Sequence, residues 1–133
     1  MRVEIVLYVD PNSQKAIQYA LDQLFVYDIA WLLAHPNTPA LYQSGVRYER
    51  EPWAGKYEEF LSIPFVLDRG WGDCDDLSCW RAAEIAVTNT YAKPLVIEAP
   101  GSREGARRWH CVVDLGGGRF DDPSLRLGMR GSS

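Results

Sequence analysis

The chain is poor in the features that most readily announce a class. Of its 133 residues only two are histidine and three are cysteine. Fourteen Lys and Arg stand against eighteen Asp and Glu, a net charge of −4. No basic field is present to draw nucleic acid or anionic lipid. No apolar run approaches the roughly 20 residues of a membrane span, and no basic n-region precedes an apolar core at the start. VEIVLYV near the beginning is short, β-branched and flanked by charge, so it is expected as a strand. These absences argue against nucleic-acid and membrane partners. The expected location is the cytoplasm, or a particle assembled there. An odd cysteine count argues against a disulfide framework. A metal site finds little support either: His110 and Cys111 are neighbours on a predicted strand and point to opposite faces, and Cys79 lies well round the helix from Cys74. No metal and no cofactor are expected.

What is present fits one domain over residues 1–133. A strand is predicted at 3–9. Asp10 and Pro11 suit the cap and first position of a long amphipathic helix, in which Ala16, Ile17, Ala20, Leu21, Leu24, Ile29, Leu32 and Leu33 recur at helical spacing. It ends near His35, placed there as a helix-end residue. Residues 36–56 are broken by proline and glycine, with Trp53 and Tyr57 expected to pin the loop. A short helix is predicted over 57–62, then a turn at Pro64. The helix opening at Cys74 follows, then strands at 94–98, 108–115 and 119–122. Residues 130–133 form a loosely held tail.

The chemistry concentrates in RGWGDCDDLSCWRAAEIA, residues 69–86. Asp73 is a strong N-cap and Asp76, three residues on, completes a capping box with a shorter acid. Cys74 is then the first helical residue, where the helix dipole favours a thiolate. Asp73, Asp75 and Asp76 oppose that charge, so a second positive group is needed. His110 is the candidate. A three-residue turn centred on Gly116 sets His110 opposite Asp122 and Val112 opposite Phe120. A one-residue shift would bring Asp121 forward instead; Pro123, by holding its predecessor extended, favours Asp122. Nucleophile, base and orienting acid then share one cleft, and a thiolate–imidazolium pair is expected. As an oxidation sensor the site is less apt, since Cys79 is poorly placed to resolve an oxidised Cys74.

GDCDDLS opening a helix, WHCVV on a strand and DDPS at the next strand's end resemble the transglutaminase-like superfamily of papain-fold cysteine enzymes. With RAAE and DPSLRLGM added, they look most like the small transglutaminase-like proteins of tailed bacteriophages. The resemblance covers roughly residues 57–129. It implies an α+β fold with a transglutaminase-like core, in which the cysteine helix packs on a small antiparallel sheet behind a long N-terminal helix. It also implies Cys74 as nucleophile, His110 as acid–base and Asp122 as its orienter. Trp71 and Gln43 are candidates for a second oxyanion donor, and Trp53, Trp71 and Trp109 for the walls of an acyl groove. The activity implied is acyl transfer on an amide or peptide bond of a peptide or protein substrate, with water or an amine resolving the thioester. The alternative is a virion or assembly protein that reuses the fold and meets other virion proteins.

Overall fold

The computed structural model describes residues 4–7, 13–50, 58–99 and 109–129. It is an α+β arrangement. The described strands are β1 (Glu4–Leu7), β2 (Arg47–Tyr48), β3 (Glu58–Leu61), β4 (Trp71–Gly72), β5 (Lys93–Glu98), β6 (Trp109–Gly116) and β7 (Arg119–Asp121). The helices are α1 (Gln14–Ala34), α2 (Ile63–Arg69), α3 (Cys74–Ala86) and α4 (Pro123–Arg126). β5, β6 and β7 form an antiparallel sheet, β1 pairs antiparallel with β3, and β2 pairs parallel with β4.

α1 and α3 pack on each other and together cover one face of the β5–β6–β7 sheet. Ile17, Ala20, Leu21 and Leu24 of α1 meet Cys79 of α3, Val96 of β5, Cys111 of β6 and Phe60 of β3 in one buried cluster. A second cluster joins Leu41, Val46, Leu61, Ile63 and Val66 to Leu77 and Trp80 of α3. Trp80 is wholly buried, a gross gain of roughly 4–6 kcal/mol at ordinary transfer coefficients. That exceeds what a cap supplies, so burial along α3 holds the helix more firmly than its capping box does. α1 also closes the outer edge of β5. Gln18 accepts from Val96 N–H at 2.9 Å and donates to Pro94 C=O at 2.9 Å, while Gln14 donates to Val96 C=O at 3.1 Å. Otherwise bare edge groups are thereby satisfied.

Three local expectations are corrected. The α1 cap is Ser13, whose hydroxyl accepts from Ala16 N–H at 3.2 Å; Asp10 and Pro11 lie outside the described residues. The segment expected as a helix over 57–62 is strand β3, with Phe60 paired to Ile5 and Leu61 to Glu4. Distant pairing overrides local propensity there. Pro64 opens α2 rather than a turn, and Gly70 closes it in the left-handed region at φ 82°, the conformation glycine adopts without penalty. At the end of α1, His35 caps the helix: its Nδ1 lies 3.0 Å from Trp31 C=O and its ring stacks on Trp31 at 3.5 Å.

α1 also carries an acid into the core. Asp28 is completely buried, accepts from Ile63 N–H at 3.1 Å through Oδ1, and among the described residues has no hydrogen-bond partner at Oδ2. Burial pushes its carboxyl well above the usual range, the Ile63 bond opposing weakly. A raised folded pKa means the stabilising protonated form is fully present below about pH 4, the unfolded value, and is lost as pH rises through the folded pKa. Asp28→Asn keeps the acceptor and removes the charge. It is expected to stabilise the protein at neutral pH by on the order of 1 kcal/mol and to flatten the fall in stability with rising pH. Urea melts of both proteins across that range check this.

Candidate active site

The first turn of α3 is built from aspartates. Asp73 accepts from Asp76 N–H and Asp76 accepts from Asp73 N–H, each at 3.4 Å, the capping box expected from the sequence. Asp76, completely buried, also accepts from Leu61 N–H at 2.7 Å and from Arg69 Nη2 at 3.2 Å. One carboxylate thus joins α3 to β3 and α2. Arg69 in turn donates from Nε to Trp71 C=O at 2.8 Å and lies over the Trp71 ring at 3.5 Å. Gly72 lets β4 pass this close: a Cβ there would meet Asp76 Cβ and Leu77 Cδ2 at 3.2 Å.

Asp75 is buried. Its carboxyl is hydrogen-bonded to that of Asp73. Burial, then the neighbouring charges of Asp75 and Asp76, raise the Asp73 carboxyl well above its usual range. Burial raises Asp75 too, against the lowering effect of the Asp73 bond. Both carboxyls are raised chiefly by burial, so the flank of Cys74 holds its negative charge less readily than its sequence suggests. The oxygens of Asp73, Asp75 and Asp76 lie within 4.8 Å of one another, a spacing that could hold a cation. Much of their capacity is already taken by the cap, Leu61 and Arg69.

Cys74 is half-buried. Its thiol points 3.8 Å from Asp75 Oδ1 and hydrogen-bonds the thiol of Cys111. The Cys111 bond first, then burial, push the Cys74 thiol well above its ordinary value, with the Cys111 backbone N–H opposing. The register explains that N–H. Val96 faces Cys111 across the β5–β6 ladder, and Val96 turns both its backbone groups outward to α1. The pair is therefore the non-hydrogen-bonded kind, and Cys111 N–H leaves β6 on its other flank. β7 no longer runs there, because its last described pairing is Asp121 with Val113. The start of α3 sits at this open stretch of β6, with the sulfur of Cys74 on the bare amide. The expected resting thiolate–imidazolium pair is replaced by a neutral thiol.

His110, next to Cys111 on β6, meets Asp122. The turn is two residues, Gly117 and Gly118 at φ 62° and 79°, the left-handed pair a tight hairpin needs. Asp114 pairs with Phe120 and Val113 with Asp121, two residues from the expected register. A shift of two preserves the facing of every side chain, so Asp122 stays with His110. Asp122 Oδ2 lies 2.7 Å from His110 Nε2, and Oδ1 accepts from Leu125 N–H at 3.3 Å as the cap of α4. Asp121, the alternative acid, turns to the helical face. There its Oδ2 accepts from Tyr42 at 2.7 Å and from Arg81 at 3.0 Å. Among the described residues His110 Nδ1 makes no hydrogen bond, and none joins His110 to Cys74.

No family model, curated protein or solved structure matches this chain.

The other candidates fare differently. Trp109 packs against the α1–α3 core cluster, and Trp71 is the platform for Arg69. Gln43, last residue of a 3-10 turn over Leu41–Gln43, is exposed. Trp53 lies outside the described residues, as do Tyr57 and the 130–133 tail. Sequence reasoning missed Tyr48. It pairs with Gly72, two residues before Cys74, and packs against the cluster that includes Leu77. Burial first, then the charges of Cys74 and Asp73, push its phenol up to about 12. A protonated phenol beside the thiol can donate a hydrogen bond. A two-residue strand has no periodicity to reveal it.

Proposed function

We propose that the chain is a thiol acyl-transfer enzyme of the transglutaminase-like kind, acting on an amide or peptide bond of a peptide or protein. Cys74 is the nucleophile, His110 the acid–base and Asp122 its orienter. The observation that carries this is the 2.7 Å Asp122–His110 bond on Nε2. It leaves Nδ1 without a hydrogen bond among the described residues, on the residue beside Cys111, whose amide the Cys74 sulfur meets. A neutral resting thiol assigns His110 a definite task. It removes the Cys74 proton as the sulfur attacks the carbonyl carbon, then returns that proton to the departing amine. The thioester is released by water in a hydrolase or by a second amine in a transferase. Cys74 N–H, at the helix start with no intrahelical partner, is the first oxyanion donor, and Tyr48 is better placed than Trp71 or Gln43 to be the second.

Iodoacetamide tests the dyad's hold on the thiol. Cys74 is expected to alkylate faster than buried Cys79 and Cys111, and His110→Ala is expected to slow Cys74 alone by about tenfold or more. Exposure by itself predicts the preference but not the slowing. Equal Cys74 rates in wild type and His110→Ala, read by peptide mass spectrometry, would remove His110 from the mechanism.

A second reading, a virion or assembly component, is favoured by one stripe on α1. Tyr19, Val26 and Leu33 recur at seven-residue spacing and are each more than 60% exposed. Co-sedimentation with particles, together with alkylation indifferent to His110, would favour it.

A further inference from the structure

From the thiol contact we infer that Cys74 and Cys111 form a reversible intrachain disulfide that closes the candidate nucleophile under oxidation, with Cys111 as the resolving residue. The effect on activity rests on the acyl-transfer reading; the bridge itself does not. Three cysteines occupy one packed neighbourhood, and the structure separates their roles. Cys79 is completely buried and donates its S–H to Leu21 C=O at 3.4 Å, on the α1 side. It is already occupied and faces away from the start of its helix. Cys111 faces α3 from the middle of β6, and Cys74 packs against the cluster that contains it, thiol to thiol. Of the two, Cys74 is half-buried and Cys111 nearly sealed. An oxidant therefore reaches Cys74 first and a resolving sulfur is already in contact.

With a peroxide the step balances in two stages. The Cys74 sulfur attacks one peroxide oxygen, the O–O bond breaks, and sulfenic acid and water form; the sulfur loses two electrons and the peroxide is reduced. The Cys111 sulfur then attacks the Cys74 sulfur, its proton leaves with the hydroxyl as a second water, and the S–S bond forms. A dithiol reductant reverses it. A bridged Cys74 has no thiol for His110 to deprotonate, so oxidation silences the site without touching His110 or Asp122.

The test treats the full chain with hydrogen peroxide at mildly alkaline pH, blocks free thiols after denaturation, and maps the peptides. The expected product is lighter by two hydrogens, with the Cys74 and Cys111 peptides joined within one chain and released by dithiothreitol. Iodoacetamide labelling of native Cys74 is expected to fall about tenfold or more after oxidation and to recover on reduction. Cys79→Ser should bridge like wild type, whereas Cys111→Ala should stop at an oxidised, unbridged Cys74. A bridge to Cys79, a bridge between chains, or wild-type Cys74 over-oxidised while Cys111 stays alkylatable would each overturn the inference. Wild-type mapping decides it even if Cys111→Ala does not fold. His110→Ala keeps the two ideas apart. If it bridges normally yet alkylates Cys74 at the wild-type rate, the disulfide stands and the catalytic reading falls. If wild type does not bridge while His110→Ala slows alkylation, the reverse holds.

Discussion

Replacing Asp76 by alanine is expected to cost about 3–5 kcal/mol, a large part of the roughly 5–15 kcal/mol that holds a domain of this kind together. The side chain has no solvent exposure, and among the described residues it accepts from Leu61, Arg69 and Asp73, on three segments of chain. Its removal leaves Leu61 N–H without its 2.7 Å acceptor inside the core, a loss of about 1–3 kcal/mol by itself. It also strips Arg69 of its nearer carboxylate. The remaining one, Glu59, is 3.5 Å away, too long to hold a largely buried guanidinium as well. The reciprocal half of the capping box goes too, about 1 kcal/mol more. These terms overlap because one group makes all the contacts, which is why the total is smaller than their sum. The melting temperature should fall by on the order of 10–20 °C. Asp76→Asn, which keeps an acceptor for Leu61 but loses the charge facing Arg69, should lie between. Asp75→Asn is the contrasting control. Among the described residues its Oδ2 has no hydrogen-bond partner, and its carboxyl is raised by burial, so neutralising it should be neutral or mildly stabilising. Urea melts followed by circular dichroism measure all three. An Asp76→Ala protein within about 1 kcal/mol of wild type would mean the joint between α3, β3 and α2 is not where the stability lies.

What was legible in the sequence is what depends on neighbours three or four residues apart, or on parity. The Asp73–Asp76 box is a local pattern, and the structure contains it. The body of α1 follows from its apolar spacing, although its cap moved to Ser13. Asp122 was placed beside His110 through a wrong turn and a wrong register. The error was an even number of residues, so every side chain kept its face. What was not legible depends on distant pairing. β3 reads locally as a helix, because Glu59, Phe60 and Leu61 are buried in succession and show no alternation; only β1, more than fifty residues earlier, makes it a strand. The contact of Cys74 with Cys111 is also non-local. Alternation correctly sends His110 and Cys111 to opposite faces, but it is silent about where β7 ends. That ending opens the β6 edge to the start of α3. The burial of Asp75 is equally out of reach, because nothing local separates it from the exposed carboxylates of an ordinary helix start.

Asp122→Asn is expected to lower acyl-transfer turnover by about 10⁴ while changing stability by no more than about 1 kcal/mol. The asymmetry follows from how the carboxylate divides its work. Oδ1 caps α4 through Leu125 N–H at 3.3 Å, and Oδ2 holds His110 Nε2 at 2.7 Å. A carboxylate accepts on both oxygens, so Nε2 carries the proton and Nδ1 is left with a free lone pair, which the proposed mechanism uses to take the proton of Cys74. An amide has one acceptor. If its oxygen stays on the cap, its NH₂ faces Nε2, donates to it, and drives the ring proton to Nδ1. The ring is then in place but in the wrong tautomer, with no lone pair for the thiol. If the amide flips instead, the tautomer survives and the α4 cap is lost. That outcome would appear as reduced stability with largely retained turnover. Steady-state hydrolysis of an activated ester, set beside a urea melt, separates the two, and Cys74→Ala supplies the background rate. Asp121→Asn is the internal control, because Asp121 serves Tyr42 and Arg81 on the opposite face; it should affect the melt more than the rate. A turnover that follows Asp121 rather than Asp122, or that survives Asp122→Asn with the cap intact, would show that the 2.7 Å pair is a strand-end contact rather than the part of the site that aims the imidazole.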